Sequence, residues 1–209
     1  MSATAQAALP FEYDRELGDV ARASLRQAVS DDPGFARADV KRVYVRGYLD
    51  KRSFERAFER RFGLSASRVI AYYAGGADLH LRDGTCDNVR SFLGGRHTVY
   101  TAGAYSILLH EALHRQRVQN ERITTCLAND AVRWGTTWLG FDETKALRAR
   151  NLALTFTRLF SPGVLPYGEA ELPPPQPADG LDRSSLTSAT WPTQKSPRRA
   201  SRRSRSRRT

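Results

Sequence analysis

Residues 101–121 read T-A-G-A-Y-S-I-L-L-H-E-A-L-H-R-Q-R-V-Q-N-E, and the reading of this stretch decides the fold. Thr101 to Arg117 is helical in pattern. His110 and His114 are four apart, so their imidazoles leave one face of a helix one turn apart and can reach a single tetrahedral ion. Glu111 sits 100° around, near enough to hold a water on that ion without ligating it. Neutral imidazole suits Zn²⁺, which makes hydroxide available near neutral pH. Gly103, Ser106 and Ile107 share the histidine face, and the two small residues are expected to leave space beside an ion. Ala104, Leu108, Leu109 and Ala112 lie behind and are expected in the core. H-E-x-x-H arises by chance in roughly one such chain in several hundred. Two of only four histidines fall in it here. The apolar run Ile107-Leu108-Leu109 argues against a solvated helix bearing incidental histidines.

The third ligand sets the subclass. A metzincin pattern would place Gly at 117 and His or Asp at 120, where this chain has Arg117 and Asn120. The acids available are Glu121 and Asp130. On one continuous helix Glu121 would lie ~10 Å beyond His114. The chain must therefore break between Arg117 and Asn120, with Asn120 as N-cap of a returning helix. The first turn of that helix brings Glu121 toward the metal. Glu121 is the preferred ligand. Asp130 is the alternative, or else a partner for a histidine N–H or a buried structural acid. Cys126 lies on the Asp130 side and is expected to pack rather than ligate.

The string H-E-A-L-H-R-Q…N-E-R-I-T-T-C-L-A resembles small uncharacterised bacterial and phage proteins with H-E-x-x-H-x-x-G-x-x-N-E followed by T-x-C-x-A. More distantly it is similar to minimal gluzincin-like zinc metallopeptidases. The resemblance covers about Tyr105 to Trp134. It implies a minimal zincin-like domain, zinc ligands His110, His114 and Glu121, Glu111 as general base, and a peptide or protein substrate. Arg117 departs from the usual glycine, which bears on the turn because Gly permits φ > 0 where Arg resists it.

Working outward, Asp14 to Ser30 is helical in pattern, and Lys41 to Leu49 alternates as a strand. Asp50 caps a helix carrying Phe54, Phe58 and Phe62, all expected in the core, and Gly63 closes it. Arg68 to Ala74 reads as a strand with Leu79 to Arg82 as its hairpin partner. Tyr72 and Tyr73 are placed beside the active-site helix. An edge strand there would pair with an extended substrate, and a tyrosine could serve the oxyanion, although packing is the simpler role. His80 is expected to face solvent. Thr85 or Asp87 caps a short helix through Val89 and Phe92. After the H-E-x-x-H helix, a second runs from about Asn120 to Leu139 on a stripe of Ile123, Leu127, Ala131, Trp134 and Trp138. Asp142 caps a last one to about Phe160. Strands first and helices afterwards give an α+β domain, a small antiparallel or mixed sheet followed by the active-site helix and a helical hairpin.

That domain spans 11–162. Residues 163–209 are rich in Pro, Ser and Arg and are expected to be a disordered tail. Residues 195–209 alone carry eight of the net eleven positive charges, so the remaining chain carries only +3. The high pI therefore describes a tail, not a nucleic-acid-binding domain. Non-specific contact of the tail with nucleic acid or an anionic surface is expected at low salt. The two cysteines, Cys86 and Cys126, read as free thiols. With no signal-like start and no apolar run long enough for a membrane span, a cytoplasmic location is expected. The reading that follows is a zinc-dependent metallohydrolase, a peptidase by resemblance. The alternative is a non-catalytic zincin-like binding protein tethered to nucleic acid by its tail. A purely structural helical protein would leave the histidines unmetallated.

Overall fold

The computed structural model describes residues 9–31 and 40–160, with side chains described for 9–28 and 40–160. The tail expected at 163–209 lies outside the described residues. The chain runs β1 (Phe11–Asp14), α1 (Arg15–Asp31), β2 (Tyr44–Tyr48), α2 (Lys51–Phe62), β3 (Ala71–Tyr73), β4 (Asp78–Leu81), α3 (Thr85–Leu93), α4 (Val99–Arg115), α5 (Glu121–Trp138) and α6 (Glu143–Phe160). This is the expected α+β class.

The sheet order is β1-β2-β4-β3, with β2 parallel to β4 and the other pairs antiparallel, so the sheet is mixed. The hairpin of β3 and β4 is as the sequence implies. Strand β1 is not foreseen by the pattern. It holds its place by pairing with β2 and by Asp14, which accepts the Leu17 backbone N–H at 3.0 Å and pairs with Arg90.

Alternation divides the sheet into two faces. Val45, Leu79 and Leu81 are fully buried on one, in the main core with α1, α3, α4 and α5. Tyr48, Phe54 and Tyr72 form a second core under α2 on the other. His80 belongs to this second face and does not point to solvent. Its ring stacks on Tyr72 with centroids 4.3 Å apart, and Tyr48 Oη lies 3.1 Å from its Nδ1. Burial and the neighbouring Arg46 charge push its pKa down to about 4. Helix α2 is capped by Asp50, which accepts the Ser53 N–H, and closed by Gly63 at φ +69°. Only Phe54 of its three phenylalanines is fully buried; Phe62 is 41% exposed at the helix end.

Helix α4 is the centre of the domain, packed against β3, β4, α3, α5 and α6, and buried nearly all round as a central helix must be. Thr98 and Thr101 form a reciprocal capping box at its start. Its small residues serve packing rather than an open site, contrary to expectation. A Cβ at Gly103 would lie 2.2 Å from the Phe156 ring of α6, and Ser106 donates to Asn129 Oδ1 of α5 at 2.9 Å.

The buried face of α5 also differs from the expected stripe. Ile123 and Trp138 are 53% and 47% exposed, while Thr124, Thr125, Ala128, Asn129, Val132, Gly135 and Thr136 are buried with Ala131. The reason is close approach on three sides. Gly135 meets Tyr105 and Ser24, where a Cβ would lie 2.2 Å from Tyr105 Oη. The hydroxyls of Thr124 and Thr136 turn back along their own chain to the Asn120 and Val132 carbonyls at 2.8 and 2.6 Å. Among the described residues no helix is long and apolar enough to cross a membrane.

Candidate metal centre

The site begins with how α4 ends. Val118 N–H donates to Leu113 O at 3.2 Å and Arg117 N–H donates to His114 O at 2.9 Å, the two bonds of a Schellman turn. That turn needs a left-handed residue, and Arg117 supplies it at φ +69°, the lone non-glycine with positive φ among the described residues. Asn120 then caps α5, its side chain accepting the Arg122 and Ile123 N–H groups at 3.1 Å each. The chain thus folds back as the sequence requires, and Glu121 is the first residue of the returning helix.

Substituting Arg117 by Gly removes the side-chain cost of the left-handed conformation but adds freedom to the unfolded chain. A net gain of about 0.5–1 kcal/mol is expected in chemical unfolding. An unchanged or lower stability would mean that contacts of the Arg117 side chain outweigh the conformational cost.

His110, His114 and Glu121 converge, with one ligand atom from each within 4.8 Å of the others. The two Nε2 atoms are 3.0 Å apart; His110 Nε2 is 3.1 Å from Glu121 Oε2, and His114 Nε2 is 3.3 Å from Glu121 Oε1. Donors around a tetrahedral zinc ion at ~2.0–2.1 Å stand about 3.3 Å from one another. The donor set, two imidazoles and a carboxylate, also suits Zn²⁺. The Glu121 side chain is 65% exposed, against 19% for His110 and 12% for His114, so the cluster opens to solvent on the Glu121 side.

Surrounding groups orient the rings. His114 Nδ1 lies 2.7 Å from the Val118 carbonyl, which can only accept, so Nδ1 carries the hydrogen and the Nε2 lone pair faces the cluster. The left-handed turn at Arg117 places that carbonyl. Thr125 Oγ1 lies 3.3 Å from His110 Nδ1. Sequence reasoning missed both contacts. The i, i+4 rule that paired the histidines, applied to Glu121, would have reached Thr125. Burial, reinforced by the neighbouring His114, pushes His110 down to about 4 against the pull of Glu121, so its ring is neutral at neutral pH.

Glu111 stands outside the donor set, buried at 9% exposure, and accepts the backbone N–H of Tyr73. Burial, and then the Glu121 charge, push its pKa up to about 8. Strand β3 is the sheet edge beside α4, as foreseen. Neither tyrosine offers its hydroxyl here. Tyr72 lies in the second core, and Tyr73 Oη donates to Gly76 O at 3.1 Å across the turn. Asp130 does not converge; its Oδ1 accepts Arg150 Nε of α6 at 2.6 Å. Cys126 does not join the cluster, and Cys86 is buried with its thiol pushed up to about 12 by burial and then by Asp14.

Comparison of the chain with protein-family models, with curated proteins and with solved structures gives no match.

Proposed function

We propose that the protein is a zinc-dependent hydrolase of zincin-like type, acting on peptide bonds, with His110, His114 and Glu121 as ligands and Glu111 as general base. The observation that carries this reading is the convergence of the three donors with a fourth residue beside them, the buried acid Glu111, that is not a donor. A structural site needs the ligands alone. Bound there, the ion would polarise a carbonyl and make hydroxide available at neutral pH. Glu111 follows His110 directly in α4 and lies within the field of Glu121, so it is placed to take a proton from water and return it to a leaving amine. A neighbouring cation would lower its pKa from the raised value toward one suited to that exchange. The Val118 carbonyl holds His114 to one tautomer.

The peptide class is favoured by strand β3. Among the described residues its outer edge pairs with no other strand, and its Tyr73 N–H is directed at Glu111, so an extended chain pairing along that edge would pass the base. The test is hydrolysis of a panel of extended peptides by the zinc-loaded full chain. Cleavage should vanish on chelation and return with one equivalent of zinc. Zinc-loaded protein that binds the panel without cutting it would transfer the reading to a non-catalytic binding protein.

A further inference from the structure

Helix α5 meets the histidine face of α4 through a second side chain besides Glu121. Thr125 lies one turn further along α5, so both project toward α4. Thr125 is buried at 8% exposure, and its Oγ1 is 3.3 Å from His110 Nδ1. The adjacent Thr124 hydroxyl turns back to carbonyls at Asn120 and Val118. Among the described residues, the Thr125 hydroxyl has His110 as its one hydrogen-bond partner.

What that hydroxyl must do follows from the hydrogens around it. The Val118 carbonyl fixes the His114 hydrogen on Nδ1, leaving a lone pair on its Nε2. His110 Nε2 then faces that lone pair at 3.0 Å and a Glu121 oxygen at 3.1 Å. Without a cation, and with both rings neutral, a hydrogen on His110 Nε2 meets two acceptors, which leaves Nδ1 bare to accept from Thr125. With a cation among the donors, Nε2 must be bare, Nδ1 carries the hydrogen, and Thr125 accepts it. The ring hydrogen passes from Nε2 to Nδ1 by exchange with water, with no net gain or loss of protons. A hydroxyl can serve as donor and acceptor; a carboxylate can only accept, and valine can do neither.

We infer that Thr125 is a positioning residue for His110, holding the ring and following its change of tautomer so that Nε2 is free to ligate. The inference rests on the metal reading above and extends it to a residue that touches neither ion nor substrate. Zinc affinity, measured by chelator competition on the full chain, is expected to fall 10–100-fold in Thr125→Val and to return within ~3-fold of wild type in Thr125→Ser. Ring ¹⁵N spectra of His110 in the wild type need no substitution. They should show Nδ1 bare in the zinc-free protein and protonated in the zinc-loaded one. Wild-type affinity in Thr125→Val, or a His110 Nδ1 protonated in both states, would overturn the role of Thr125 while leaving the metal site standing. Wild-type protein that takes up no zinc would overturn both.

Discussion

Alanine at His110 or His114 is expected to reduce bound zinc from one equivalent per chain to a trace, with affinity lowered by more than ~100-fold. In the proposed site each ring supplies one of three protein donors, and loss of a donor exceeds the 10–100-fold loss typical of a supporting contact. The effect should also appear as lost stabilisation. Zinc at a thousandfold excess over its dissociation constant adds ~4 kcal/mol to a folded protein that binds it. The wild type should therefore melt at a higher temperature with zinc than without, and neither alanine variant should respond. Elemental analysis and a thermal melt check this together. Wild-type protein that stays metal-free after incubation with zinc, and melts the same in its presence, would remove the basis of the hydrolase reading. Protons compete at the same atoms. The folded pKa values of His110 and His80 are lowered from 6.5 to about 4, chiefly by burial. A lowered histidine pKa contributes stability that is present above pH 6.5 and lost as pH falls toward 4. Metal-free wild type should accordingly lose stability across that window, and His110→Ala should lose less of it.

The parts of this molecule legible in the sequence are those written in local chemistry. Asp50 and Asn120 cap helices because each carboxamide or carboxylate reaches N–H groups two or three residues on, a relation within one turn. The convergence of His110, His114 and Glu121 was legible because a four-residue spacing and a forced chain reversal leave few other geometries. The misread parts depend on what stands opposite. Gly103 and Ser106 look the same in sequence whether they open a cleft or admit a neighbouring helix, and the rings and amides of α5 and α6 decide it. The true buried face of α5 is rich in threonine and alanine, which a search for large apolar residues passes over in favour of Ile123 and Trp138. His80 alternates as a solvent-facing residue would, but α2 covers that face of the sheet. Asp130 was a plausible ligand until Arg150, twenty residues away on α6, claimed it.

Glu111→Gln is expected to retain one equivalent of zinc while losing hydrolysis by 10²–10⁴-fold or more, because the amide keeps the carboxylate's shape but cannot take a proton. Glu121→Gln should fail in the opposite order. An anionic donor becomes a weak neutral one, zinc affinity falls, and activity returns in part with excess metal. A third readout separates the two without any substrate. In the metal-free protein the folded pKa of Glu111 is raised from 4.5 to about 8, mainly by burial and then by Glu121. The folded state therefore holds a proton that the unfolded state gives up, so this stability is complete below pH 4.5 and lost as pH rises to 8. Glu111→Gln removes that slope, and the metal-free variant should be more stable than wild type at pH 8 by ~a few kcal/mol. Glu121 is largely exposed, and its replacement should give no comparable gain. A buried carboxyl that lowers stability at the pH where its base form would be needed is what a group kept for chemistry looks like. If Glu111→Gln neither stabilises the metal-free protein at pH 8 nor slows hydrolysis of any substrate that the wild type cuts, Glu111 is a packing residue. The ion would then belong to a binding module.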